Sequence, residues 1–379
     1  MRVGVPKEML HGECRVAIVP ESVKRLGAKK IETCVQSGAG DAAYASDNEY
    51  KSFGASIESS AESLFAVADV IVKIRVPTLD EILKLKPGSV LVSLLYPLVN
   101  LDLVRKLAER DITAIAVDMI PRTTVAQMMD VLSSQGTVTG YMAVLRAAAT
   151  FPKFFPMLMT AAGTIAPARV LILGAGVAGL QAIGTARRLG AVVEAFDVRK
   201  VVKEQVESLG AKFVEVESAE DGAGAGGYAK EASEEYKKKQ SEAIARHVAK
   251  ADVCIATALI PGRRAPILIT AEMVKSMKPG SMIVDLAAEQ QGNCELTVPG
   301  ETVVRDGVTI VGETNFPSLM PVSASQMYSR NMEKLIFHLT KDGALKLNPA
   351  EEITAGCLIT QGGEVVHAKV KELLAKEKS

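Results

Sequence analysis

Three glycines and one acid carry the plainest chemistry in this 379-residue sequence. Gly174, Gly176 and Gly179 follow the apolar, β-branched run Arg169-Val-Leu-Ile-Leu173, and Asp197 stands 18 residues beyond the last of them. Each glycine has a reason to lack a Cβ. Gly174 makes a tight turn, Gly176 lets a pyrophosphate approach the backbone, and Gly179 lets a helix pack close to the strand. Val177 and Ala178 open that helix, whose N-terminal amides suit phosphate. A second strand, Ala191 to Asp197, then ends in the carboxylate that holds the adenosine ribose hydroxyls in a dinucleotide-binding βαβ unit. A carboxylate there repels a 2′-phosphate and favours NAD over NADP. Arg199 tempers that preference, because an arginine accepts a phosphate.

The elements around this turn alternate between strand and helix. Arg2 to Pro6, Ala68 to Ile74, Ser89 to Ser93 and Thr113 to Val117 read as buried strands, with helices such as Leu101 to Arg110 between the later ones. Further strands are expected at Lys212 to Val216, Asp252 to Ala256 and Ser281 to Asp285. A charged helix is expected from about Ala229 to Lys250. Met129 to Thr150 reads as a long helix joining two domains, weakened slightly by Gly136 and Gly140. Ser323 to Leu339 reads as a second helix returning toward the first domain. The last forty or so residues, with a strand from Ile353 to Thr360 and a turn at Gln361-Gly-Gly363, are too short for a third domain and should pack on the first. The pattern predicts an α/β protein of two Rossmann-like domains with parallel sheets, a cleft between them and long helices as links. Residues 1–130 plus 325–379 form the N-terminal α/β domain, and 131–324 the NAD-binding one.

Ala258 and Leu259 follow the strand Asp252 to Ala256 at the nucleotide crevice, so they should pack against the cofactor. Ser218 to Tyr228 holds Gly222, Gly224, Gly226 and Gly227, a density that marks a lid more than an ordinary connection. Lys plus Arg equals Asp plus Glu at 44 each, which argues against a nucleic-acid surface. The five cysteines are scattered, with no CxxC, and read as reduced, mostly buried thiols. His247, His338 and His367 stand singly, without metal-ligand spacing. No N-terminal signal and no apolar run of ~18 residues is present, so the chain reads as soluble.

Several motifs carry a resemblance that spans nearly the whole chain. Val5-Pro-Lys-Glu8 with Glu13-Cys-Arg-Val-Ala17, and Val284-Asp-Leu-Ala287 with Gly292-Asn-Cys294, are similar to the alanine dehydrogenase and transhydrogenase superfamily. Pro121 to Asp130, Leu132-Ser-Ser-Gln135, Met159 to Thr164 and Gly226-Gly-Tyr-Ala-Lys230 resemble the NAD(H)-binding component of proton-translocating NAD(P) transhydrogenases, in its separate soluble form.

That resemblance implies hydride transfer from NADH to NADP+ bound on a partner subunit, coupled to proton translocation by membrane-embedded subunits. It implies a homodimer, cytoplasmic and peripheral at the inner face of the cell membrane. It places the loop of Arg122, Thr123, Thr124, Val125, Gln127 and Asp130 over the dihydronicotinamide, with Ser133 beside it. Gln127 bonds the nicotinamide end, Arg122 the amide or the partner's nucleotide, and Asp130 holds the arginine. Val198 joins Asp197 and Arg199 at the adenosine, and Gly227 and Tyr228 fold over the nucleotide. The plainer alternative is that Arg122 and Asp130 cap the long helix and Gln127 is solvated.

Within the superfamily, an alanine dehydrogenase needs cations for a substrate carboxylate and an acid/base. The resemblance puts the substrate arginine at Arg15, the lysine position on Arg75 and the histidine position near Tyr96. Neither arginine nor tyrosine replaces the missing base near neutral pH. Amino-acid oxidation therefore loses its machinery, and a non-catalytic NAD sensor is the other alternative.

Overall fold

A computed structural model describes residues 1–216, 233–259 and 264–377. The chain divides into two compact units, Met1–Gln135 with Pro317–Ser379, and Gly136–Phe316. The chain crosses from the first to the second inside the helix Val131–Thr150, which runs unbroken through the division.

The first unit is built on one eight-stranded sheet. Its strands are β1 (Arg2–Val5), β2 (Glu32–Gln36), β3 (Ser56–Glu58), β4 (Val70–Val72), β5 (Val90–Ser93) and β6 (Thr113–Ala116), ordered β3-β2-β1-β4-β5-β6 and all parallel. β4 and β5 are buried along their whole length. That burial explains their unbroken Val/Ile/Leu character: a parallel strand covered by helices on both faces has no polar side to show.

The second unit carries a hairpin, β7 (Leu158–Thr160) with β8 (Gly163–Ile165), and a seven-stranded sheet. Its strands are β9 (Arg169–Leu173), β10 (Val192–Phe196), β11 (Lys212–Phe213), β12 (Val253–Ala256), β13 (Met282–Asp285), β14 (Thr302–Arg305) and β15 (Val308–Val311), ordered β11-β10-β9-β12-β13-β15-β14. Only the edge strand β14 runs antiparallel. In each unit the order reverses direction once, between β1 and β4 in the first and between β9 and β12 in the second. Open α/β sheets bind ligands outside the carboxyl ends of the strands at such a switch point.

The tail returns to the first unit through a short hairpin, β16 (Thr340–Lys341) with β17 (Ala344–Leu345), and then β18 (Leu358–Gln361), which pairs antiparallel with β6. β19 (Glu364–Val365) closes the edge. The expected strand from Ile353 is corrected here. Glu352–Cys357 is a helix, and the strand starts only at Leu358. Glu351 caps that helix, accepting from the amides of Ile353 and Thr354 at 3.0 and 2.8 Å, so local capping overrides the β-branched composition. The strand expected over Lys212 to Val216 is likewise only Lys212–Phe213 long. The charged helix is Glu234–Val248, capped by Ser233. Among the described residues no helix is long and apolar enough to cross a membrane.

Candidate nucleotide site

In the second unit, β9 ends in Gly174-Ala175-Gly176, and the helix Val177–Arg188 starts at once. Gly174 has φ +103°, a conformation that L side chains avoid, and a Cβ there would lie 2.5 Å from the Thr257 hydroxyl oxygen. A Cβ on Gly179 would sit 1.9 Å from the Gly174 carbonyl oxygen, so the helix reaches this close to the strand only with glycine. Gly176 is different. Nothing lies within 4 Å of its Cβ position, and no side chain caps the helix, so the first-turn amides of Val177, Ala178 and Gly179 face an open approach suited to an anion.

Asp197 follows β10, nearly buried. One carboxylate oxygen accepts the Ala175 amide at 2.8 Å, which ties the acid to the glycine turn. Its other bonds come from Arg199: the amide at 2.9 Å, Nε at 2.9 Å and Nη2 at 2.8 Å. Val198 packs half-buried against the apolar cluster behind β9 and β12.

Across the switch point, the Thr257 hydroxyl donates to the Gly174 carbonyl at 3.0 Å. Asn293 then fixes the segment that follows. Its amide oxygen accepts from Ala258 N at 2.9 Å, and its nitrogen donates to the carbonyls of Ala258 and Pro266 at 2.8 Å each. Ala258 is thereby locked while the Leu259 side chain stays exposed. Gly227 and Tyr228, with the rest of the glycine-rich lid candidate, lie outside the described residues.

Reading the residues by motif alone misses three supports here. Thr257 and Asn293 clamp the crevice from β12 and from the segment after β13. Gly140, a cost to the long helix on propensity alone, is required: its Cβ would sit 2.0 Å from the carbonyl oxygen of Ala178. Its missing Cβ lets the long helix lie directly against the first turn of the phosphate helix; Gly136, one turn earlier, faces the same turn, but a Cβ there would meet Val177 and Ala178 only at 3.9 Å. The signal was present as two glycines four apart, which put both on one face.

The first unit holds the other group of candidate residues. Ala126 and Met129 anchor the segment from Pro121 to Asp130 in the core, and the Asn331 side chain donates to the Met128 carbonyl at 2.8 Å. The Thr123 hydroxyl accepts from Ala126 N at 3.3 Å, starting a short helical turn over Ala126–Met129. Arg122, Thr124, Val125 and Gln127 remain exposed on this segment. Asp130 caps the long helix, accepting the amide of Ser133 at 2.9 Å and its hydroxyl at 2.6 Å. The structure thus brings Asp130 and Ser133 together.

A buried ionic cluster fills the switch point of the first sheet. Glu8, after β1, accepts from the amide of Ile74 at 2.5 Å and pairs with Lys73 at 3.4 Å, and Lys73 also meets Glu81 at 3.2 Å. Burial raises the Glu8 carboxyl despite Lys73 beside it. Glu13 takes Arg15 through both oxygens, at 2.7 and 2.6 Å, and Arg75 Nε at 2.8 Å. Burial opposes its ionisation, but the bonds from Arg15 and Ser318 and the Arg75 charge outweigh it, and its carboxyl is held far below the usual range. Arg15 also donates to the Gln135 side chain at 2.9 Å. Tyr96 stands nearby in the left-handed region, φ +46°, with the Leu95 and Tyr96 amides both donating to Asp118.

The three histidines without metal-ligand spacing are paired or capping. His247 meets Glu194 at 2.8 Å, His338 meets Glu351 at 2.9 Å, and His367 accepts from Val370 N. Among the described residues no group of three His, Cys, Asp or Glu side chains is placed to hold a metal ion.

Comparison with known proteins agrees with this geometry. Residues 4–139 match the family described as alanine dehydrogenase/PNT, N-terminal domain, and residues 143–368 the corresponding C-terminal domain. The chain is 48% identical over 376 residues to an NAD(P) transhydrogenase subunit alpha polypeptide of Rhodospirillum rubrum, covering 97% of this chain and 98% of that one. Among solved structures, the transhydrogenase from Sinorhizobium meliloti superposes with a TM-score of 0.85 at 41% identity, over 97% of this chain and 99% of that one. An L-alanine dehydrogenase superposes with a TM-score of 0.83 at 27% identity, covering 99% of each chain. On the sequence, the two-unit fold and these matches together, the chain belongs to the alanine dehydrogenase/PNT family.

Proposed function

We propose that this chain is the NAD(H)-binding component of an NAD(P) transhydrogenase, passing hydride from NADH to NADP+ held on a partner subunit. Proton translocation is the work of membrane subunits, with which the chain associates peripherally on the cytoplasmic side, itself as a homodimer. The transhydrogenase alpha subunits it matches support this reading. One observation carries it over an amino-acid dehydrogenase: Arg15 and Arg75, the cations a substrate carboxylate would need, both turn on Glu13. By the resemblance, the position of that chemistry's base falls near Tyr96, and a tyrosine is a poor base near neutral pH.

The residues present fit a dinucleotide. Gly176 leaves room for a pyrophosphate, which the open amides of Val177, Ala178 and Gly179 would hold, with Gly174 shaping the turn. Asp197 would take the adenosine ribose, flanked by Val198 and Arg199, and Ala258 and Leu259 would contact the cofactor from β12. When bound, NADH supplies the hydride at C4 of its nicotinamide. The chain's own task is then positioning and exclusion of water, since no proton need be abstracted at the transfer step. Gln127 would fix the nicotinamide end, Arg122 would donate to it or to the partner's nucleotide, and Thr123, Thr124, Val125, Asp130 and Ser133 would shape and hold that segment.

The test uses the purified chain alone. Fluorescence titration should show NADH binding, and NAD+ with alanine should give no NADH. Alanine-dependent NADH formation would select the dehydrogenase reading, and failure to bind NADH would overturn both.

A further inference from the structure

The carboxylate of Asp197 has no acceptor site to spare. Two oxygens offer about four lone-pair positions, and here each oxygen holds one backbone amide and one guanidinium hydrogen. Oδ1 accepts the Arg199 amide and Arg199 Nε, both at 2.9 Å. Oδ2 accepts the Ala175 amide and Arg199 Nη2, both at 2.8 Å. The amides belong to the fold and stay. The guanidinium sits at the end of a flexible stem and need not.

We infer that Arg199 is a placeholder for the ribose diol, which displaces its guanidinium from Asp197 one hydrogen bond for one. The inference rests on the assignment of Asp197 to the ribose. The numbers match: removing the guanidinium frees one acceptor on each oxygen, and a 2′,3′-diol brings two O–H donors to that edge. Meanwhile the Ala175 and Arg199 amides keep the carboxylate aimed. The fork–fork pair neutralises a nearly buried charge that would otherwise be poorly solvated. Opening that pair subtracts from the affinity for any nucleotide with a free diol. A 2′-phosphate reverses the relation, because it adds an anion that the same guanidinium attracts and the bare carboxylate repels. Arg199 is then a specificity-determining residue that weakens NADH binding and keeps discrimination against NADPH below what Asp197 alone would impose.

The test is calorimetric titration of the full chain with NADH, NADPH, AMP and 2′,3′-dideoxy-AMP, for wild type, Arg199→Met and Arg199→Lys. Arg199→Met should bind NADH and AMP roughly three- to tenfold tighter, as expected for release of a partly buried ion pair. It should bind NADPH more weakly and dideoxy-AMP unchanged. Arg199→Lys, which keeps the charge but loses the fork, should fall between. A second readout needs no stable variant: in wild type, the Arg199 Nε–H resonance should move to a solvent-exposed position on addition of AMP and stay put with dideoxy-AMP. Weaker or unchanged binding of AMP by Arg199→Met, or an Nε–H signal indifferent to AMP, overturns the placeholder while leaving Asp197 at the ribose. Equal binding of AMP and dideoxy-AMP by Arg199→Met, where no guanidinium competes for the carboxylate, removes the ribose assignment itself, and the placeholder with it.

Discussion

Replacing Gly140 with alanine asks whether the long helix positions the phosphate turn. A Cβ at Gly140 would lie 2.0 Å from the Ala178 carbonyl oxygen, 2.8 Å from its carbon and 3.0 Å from its Cα. The nearest of these is about 1.5 Å short of the ~3.5 Å at which heavy atoms pack comfortably. The obstacle is backbone in the first turn of another helix, so no rotamer relieves it and the two helices must part. Gly→Ala in a helix interior gains ~1 kcal/mol of propensity, while overpacking costs about 1–3 kcal/mol and sits at the upper end when the neighbour is rigid. The net loss is ~1–2 kcal/mol, a fall of about 2–8 °C in Tm for a unit of this size. Because the displaced residues carry the phosphate amides, NADH affinity should fall about tenfold, equivalent to ~1.4 kcal/mol. Gly136→Ala is the internal control. Its Cβ would meet Val177 and Ala178 at 3.9 Å, ordinary contact, so that variant should gain ~0.5–1 kcal/mol and bind NADH normally. Thermal melts and NADH titrations of both variants decide it. The reasoning fails if Gly140→Ala is as stable as Gly136→Ala and binds NADH as well as wild type.

Gln127→Asn keeps the amide but withdraws it by one methylene, so NADH binding should change little while hydride transfer in the reconstituted system falls at least tenfold, about 1.4 kcal/mol of transition-state positioning; an unchanged pre-steady-state rate would make Gln127 a solvated surface residue. Thiol titration of the folded protein should find one fast cysteine, Cys14, because the other four are buried and burial pushes Cys34 and Cys294 up to about 11 and Cys357 to about 12; two or more fast equivalents would contradict this. Burial works against the Glu351 carboxyl, but the Ile353 and Thr354 amides and His338 prevail and lower it to about 2. A depressed carboxylate stabilises the fold above its unfolded value of ~4.3 and loses that contribution as pH falls toward 2. The stability difference between wild type and Glu351→Gln should therefore shrink as pH falls below about 4, and a difference still undiminished at pH 3 would refute the assignment.

The parallel strands were legible because they are buried on both faces: β4, β5, β9, β12 and β13 read as short β-branched runs, and they are the strands at the centre of each sheet. β2 and β3 carry no such mark. β3 is a three-residue edge strand, and β2 begins with an exposed glutamate, so neither shows an unbroken apolar signal. Ile353 to Cys357 misled because a capping carboxylate two residues upstream of Ile353 outweighs composition. Around the nucleotide turn, the glycine spacing and Asp197 were readable as local chemistry. The saturation of Asp197 by Arg199 was not, since nothing in the order of residues says which way a guanidinium turns. Asn293 and the buried Glu13 with Arg15 and Arg75 depend on contacts between distant segments and acquire meaning only in the fold.

The most direct test of the central claim is isotopic. The purified chain, mixed with the NADP-binding component of a transhydrogenase and with NADP+, is given NADH carrying two deuterium atoms at C4, and the NADPH formed is examined by mass spectrometry. Direct transfer between nicotinamides predicts NADPH with one deuterium per molecule, formed only when both proteins are present. NADPH carrying protium from solvent, or no NADPH at all while NADH remains bound to the chain, would contradict the account.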